Sequence, residues 1–158
     1  MKLRRISTVT LIGITSVLAF GLPAATLQPN PLFGVLLGGH EVSSTGQANT
    51  GDKDGIGSVT VTIIPGSSST APGKLCYGLT VTKIDKPTAA HIHKGNAGTN
   101  GAIVVNLSPP SAGNPGASSG CVSVPASTLT QIQNDPSGFY VNVHNSEFPN
   151  GAIRGQLF

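Results

Sequence analysis

The chain predicts an all-β fold, an antiparallel, Greek-key-like β-sandwich of about eight strands with one short helix. Three observations carry this reading. The 158 residues include 21 Gly and 12 Pro but one Met and no Trp, the mix of a turn-rich β domain of ordinary single-domain length. From Leu32 onward, short apolar or alternating runs are separated by Gly, Pro, Asn and Ser clusters, without the strand–helix alternation of βαβ units. Helical spacing occurs in one place only, after Pro125.

Residues 1–25 read as an export signal: Lys2, Arg4 and Arg5 precede the apolar run Ile6 to Leu22, and the small residues Ala24 and Ala25 follow, with cleavage expected between Gly21 and Ala25. The alternative is a membrane anchor. Thr8, Thr10, Gly13, Thr15 and Ser16 dilute that run, and cleavage leaves no stable membrane span. Residues 26–31 form a lead-in, and the domain occupies 32–158.

Within it the expected strands are Phe33–Leu37, Gly57–Ile64, Lys74–Val81, Ala89–His93, Ala102–Asn106, Gly120–Val124, Phe139–Asn145 and Ala152–Leu157. The second alternates most cleanly, with Val59, Val61 and Ile63 on one face and Ser58, Thr60 and Thr62 on the other. The helix is Ala126–Asn134: it follows Pro125, sets Leu129 and Ile132 on one side, and stops before Pro136. Residues 67–73 and 109–119 are loops by composition. Asp52-Lys53-Asp54-Gly55 lacks the first and last acids of a calcium loop and reads as a turn.

The formal charge of +3 comes entirely from the export segment, since the other six Lys and Arg balance the six Asp and Glu. A neutral domain with two Tyr has neither the basic stripe nor the stacking platform that nucleic-acid binding requires, so no nucleic-acid partner is expected. Cys76 and Cys121, the only cysteines, are expected to form one disulfide in an oxidising compartment. No nucleophile–base arrangement, catalytic carboxylate pair or phosphate-binding Gly loop is visible.

Two segments carry the chemistry, Ala90-His91-Ile92-His93-Lys94-Gly95 and Tyr140-Val141-Asn142-Val143-His144. Residues two apart on a strand share a face, so His91 and His93 point together, as do Asn142 and His144, while Ile92, Val141 and Val143 point into the core. If the two strands are neighbours, three imidazoles converge on the outer face, where loops must cover any bound ion. Three imidazoles with no thiolate nearby favour copper, with zinc second, and leave a coordination position open. His40 is a fourth candidate ligand if the first strand runs beside the others. Arg154 is expected on the outer face, either steering an anion towards the metal or as a surface pair with Glu147 or Glu41. Asn142 is expected to orient a ligand histidine from behind or to cap a backbone group.

The sequence Gly38-Gly39-His40-Glu41-Val42, Tyr77-Gly78-Leu79, Thr88 to Gly101, Tyr140 to His144 and Asn150 to Leu157 resembles the CHRD domain, a module first described as a repeat in chordin and found singly in bacterial exported proteins. The resemblance spans nearly the whole domain and implies a β-sandwich outside the cytoplasm. Family members commonly carry Asn where this chain has His40, and prolines at Ser43-Ser44. A fainter similarity is to copper/zinc superoxide dismutase, whose copper ligands include a His-x-His pair and a later strand histidine, with an arginine near the metal. The zinc-binding loop of that family is missing here.

Three functions are therefore expected as alternatives: an exported module that binds copper or another transition ion, a non-catalytic cell-envelope or matrix module with an extracytoplasmic partner, and a copper-only dismutase-like enzyme. The location expected in each case is secreted, periplasmic or cell-envelope.

Overall fold

A computed structural model describes residues 30–112 and 116–158, so the expected export segment and residues 26–29 of the lead-in lie outside the described residues. The fold is all-β and antiparallel, with β1 (Leu32–Leu37), β2 (Ile56–Ile64), β3 (Gly73–Thr82), β4 (Pro87–Lys94), β5 (Ala102–Leu107), β6 (Gly116–Val124), one helix α1 (Ala126–Asn134), β7 (Phe139–Asn145) and β8 (Ile153–Gln156).

All eight strands belong to one hydrogen-bonded sheet in the order β5-β4-β7-β8-β1-β2-β3-β6. The two-layered packing arises because this sheet curls until its edges approach each other. Ser108, just after β5, receives a hydrogen bond at its carbonyl from Ser118 Oγ of β6 (2.8 Å) and donates its N–H to Tyr77 Oη of β3 (2.8 Å). The return of β6 to β3, after β4 and β5 have crossed to the other edge, is a Greek-key connection.

Alternation sets which side faces in. Val59, Val61 and Ile63 of β2 and Leu75, Tyr77, Leu79 and Val81 of β3 are buried, while Ser58, Thr60, Lys74 and Thr80 between them are exposed. Leu129 and Ile132 of α1 join the same core as Ile92, Val141, Val143 and Ile153, which closes one end of the curled sheet.

β6 begins at Gly116, four residues before the expected start, so part of the composition-defined loop is strand. It pairs residue for residue with β3 from Gly73↔Val124 to Val81↔Gly116. On an edge strand that ladder, rather than an apolar face, dictates the conformation, and the tract Ala117-Ser118-Ser119-Gly120 carries no hydrophobic periodicity.

Cys76 and Cys121 face each other across this pair and are disulfide-bonded, 45 residues apart in sequence. Replacing both with Ser is expected to cost about 2–4 kcal/mol, since the bond closes a long loop and pins an edge strand. Urea denaturation of the two proteins checks this; midpoints that coincide would show that the ladder alone holds β6.

The site depends on β7. Six of its seven residues are buried, which no strand with one solvated face achieves. Its inner face meets the core, and its outer face lies under two segments, residues 38–52 and 95–101. Asn100 ties the two together by donating from Nδ2 to the carbonyls of Val42 and Ser43, each at 2.9 Å. The first segment is further anchored to the chain before β8 by Asp52 N–H on Ala152 O (2.8 Å).

Candidate metal centre

β4 and β7 are neighbours in antiparallel register, with His91 opposite Asn142 and His93 opposite Tyr140. This register brings His91, His93 and His144 together, each offering a ring nitrogen, with all three nitrogens within 4.8 Å of one another. His91 Nδ1 and His144 Nε2 are 3.2 Å apart. Two ligands of a tetrahedral ion bound at about 2.0–2.1 Å lie roughly 3.3 Å apart, so this pair already has the spacing of one coordination edge.

Loop carbonyls set the tautomers. A carbonyl only accepts, so His93 Nδ1 carries hydrogen and donates to Gly101 O (2.9 Å), and His144 Nδ1 does the same to Pro149 O (3.1 Å). Each ring thereby presents Nε2 as a lone pair. His93 Nε2 is buried and has no hydrogen-bond partner, an unusual condition for a buried ring nitrogen. His91 is the adaptable member, because a change of tautomer frees its Nδ1 as a third donor.

All three histidines are held below their ordinary pKa, and burial is the largest cause for each. His144 and His93 depress His91 further; His144 and Arg154 depress His93 against the upward pull of the Gly101 carbonyl. For His144 the Pro149 carbonyl works against burial. Neutral imidazoles are the form that binds metal.

Tyr140 supports the group and is missed when the sequence is read for ligands alone. Its ring stacks flat on His93, with centroids 4.8 Å apart and planes 6° from parallel, and the Arg154 guanidinium lies 3.6 Å from the ring centroid. Because β7 stands between β4 and β8, the ring separates His93 from Arg154. The tyrosine hydroxyl accepts the Gly101 N–H (3.1 Å), so one glycine holds both His93 and its stacking partner. The available signal was alternation: Tyr140 shares the outward face with Asn142 and His144.

Two expectations are corrected. His40 does not join the cluster: it is exposed at the end of the 3-10 turn Gly38–His40 after β1, and β7 and β8 intervene between β1 and β4. Arg154 is not a surface pair: it is 1% exposed and donates to Asn100 Oδ1 (3.1 Å) and Thr99 O (2.8 Å) under the covering loops.

Asn142 is likewise buried, and its side chain meets Glu41 rather than a histidine. Glu41 is 1% exposed. Burial pushes its carboxyl up to about 7, against the lowering effects of Arg154, the Val42 backbone and Asn142. Gly151 makes room for it. Its φ is +142°, and a Cβ there would lie 2.5 Å from Glu41 Oε2, so only glycine fits both the backbone and the space.

The arrangement defines an all-β module whose outer sheet face carries a loop-covered histidine cluster. Residues 33–157 match the family model of the CHRD domain, and the chain belongs to that family. No curated protein and no solved structure matches it.

Proposed function

We propose that this protein is an exported binding module that holds one transition-metal ion, copper in preference to zinc, through His91, His93 and His144. The observation that carries the reading is the convergence of three ring nitrogens within 4.8 Å, one of them a buried lone pair with no partner. Imidazole donors suit copper and zinc, and copper(II) binds such donors more tightly. Both cysteines are in the disulfide, so no thiolate competes for the ligand role.

Export rests on the N-terminal signal pattern, the disulfide and the extracellular setting of CHRD domains. No helix among the described residues is long and apolar enough to cross a membrane. The module's partner would be an extracytoplasmic one. The enzymatic reading draws less support: Arg154 lies behind Tyr140 and is bound to neutral groups, which suits positioning the ring that backs His93 rather than steering an anion to the ion.

The metal-free reading has one observation of its own. His93 and His144 each bond a loop carbonyl, which would fix the loops without an ion. Dialysis of purified protein against micromolar copper(II) or zinc(II), followed by elemental analysis, separates the two. We expect one copper per chain, and an affinity loss of about 100-fold or more in His93→Ala. No retained metal would leave the loop-fixing role alone.

A further inference from the structure

The donors that converge at the metal centre are all neutral. Among the described residues, His91, His93 and His144 form a group without an acid or a thiol, both cysteines are in the disulfide, and the only Met is Met1. An ion held by this set keeps its full charge, whereas a carboxylate or thiolate ligand would cancel part of it. The number of donors matters as well. Copper(II) favours a tetragonal arrangement of N and O donors, and this chain supplies three. Copper(I) is, like zinc(II), a filled-shell ion without a directional preference of its own, so three imidazoles can satisfy it.

A fixed cation backs the centre. Arg154 is 1% exposed, and its guanidinium lies 3.6 Å from the centroid of the Tyr140 ring, which stacks on His93 at 4.8 Å. Asn100 Oδ1 and Thr99 O accept its hydrogen bonds; both are neutral, so they fix the guanidinium without cancelling its charge. That charge is felt at His93, where burial first, then His144 and Arg154, oppose protonation of the ring. Surroundings that resist a positive charge on the imidazole also resist the second charge of an ion bound to it. Glu41, buried and coupled to Arg154, is the acid on the other side of this balance.

Granted metal binding by the three histidines, we propose that the centre selects copper(I) over copper(II), with Arg154, behind the Tyr140 ring, as the residue that favours the lower charge. Zinc(II) meets the same unfavourable field as copper(II), which adds to the preference for copper. The module is then a holder of reduced copper, and Tyr140 a spacer that keeps the guanidinium off the ligand while passing on its field.

Two competitions with the purified protein at pH 8 test this, one against bicinchoninate for copper(I) under argon with ascorbate, the other against glycine for copper(II) in air. Wild type is expected to bind copper(I) at least about tenfold more tightly than copper(II). A unit charge about 10 Å away in a medium of effective dielectric about 20 changes such a ratio by roughly tenfold. Arg154→Met should therefore lower the ratio about tenfold, a fall of about 59 mV in the potential of this one-electron couple. The Glu41 carboxyl, pushed up to about 7 by burial, is mostly ionised at pH 8, so Glu41→Gln should raise the ratio about three- to tenfold. Opposite signs separate charge from structure, since a merely loosened site weakens both ions together. Circular dichroism checks folding, and wild type with Glu41→Gln carries the test if Arg154→Met does not fold. The proposal is overturned if wild type binds copper(II) as tightly as copper(I), or if either folded variant leaves the ratio within twofold. One copper per chain with a copper(II) preference overturns the oxidation state alone; no retained copper of either kind overturns the metal centre with it.

Discussion

Glu41→Gln gains stability relative to the wild-type protein as pH rises, the difference between them changing by roughly 2–3 kcal/mol from pH 5 to pH 8. The folded-state carboxyl has a pKa of about 7, raised by burial from 4.5. Between those values the folded protein keeps a proton that the unfolded chain has released. The stability Glu41 contributes is therefore fully present below about pH 4.5 and is lost as pH rises through about 7. Glutamine, neutral throughout and of the same shape, has no such loss.

The orphaned atoms explain why the proton belongs there. Glu41 Oε1 and Asn142 Oδ1 are both buried acceptors without a partner, and an unpartnered buried oxygen costs less on a neutral carboxyl than on a carboxylate. The three histidines pull the other way, because their lowered folded-state values cost stability as pH falls below about 6.5. That cost is common to both proteins and cancels in the difference. Urea denaturation at intervals between these pH limits reads the effect directly; parallel curves would mean that Glu41 is ionised in the folded protein, as an ion pair with Arg154 would require.

These buried groups also mark where the sequence could and could not be read. Alternation correctly sends Ile92, Val141, Val143 and Ile153 to the core and His91, His93, His144 and Arg154 to the opposite face, because a strand's period of two is a local property. Exposure does not follow from facing outward. Residues 38–52 and 95–101 fold back over β7 and β8, and this turns the outer face into a second interior that no period reveals. Arg154 is buried for that reason, and Glu41 comes to lie beneath Gly151.

His40 is illegible for a different reason. Its place depends on the order of strands in the sheet, which sequence proximity to Glu41 and Gly38 does not encode. The register shift between Ile92 and His93 in the β4–β5 pairing is hidden in the same way, since bulges answer to the partner strand.

Gly101→Ala is expected to cost about 2–3 kcal/mol in stability and to weaken metal binding by about 10–100-fold. A Cβ at Gly101 would run into the carbonyl of Lys94, the last residue of β4, so the start of β5 must shift away from it. That shift withdraws the carbonyl that fixes His93 Nδ1 and the N–H that holds Tyr140 Oη. His93 then loses both its tautomer-setting partner and the anchor of the ring stacked on it.

Gly98→Ala is the matched control in the same loop. Its φ of +77° makes alanine strained, but a Cβ there meets nothing within 4 Å, so about 1–2 kcal/mol of stability should be lost with no change in metal affinity. Copper titration and thermal melts of the two variants distinguish a loop that merely covers the histidines from one that aims them. If Gly101→Ala were destabilised yet bound copper within twofold of wild type, the Gly101 carbonyl would have no part in presenting His93. Loss of affinity in Gly101→Ala alone would mean that the covering loop, and not β4 by itself, completes the metal centre.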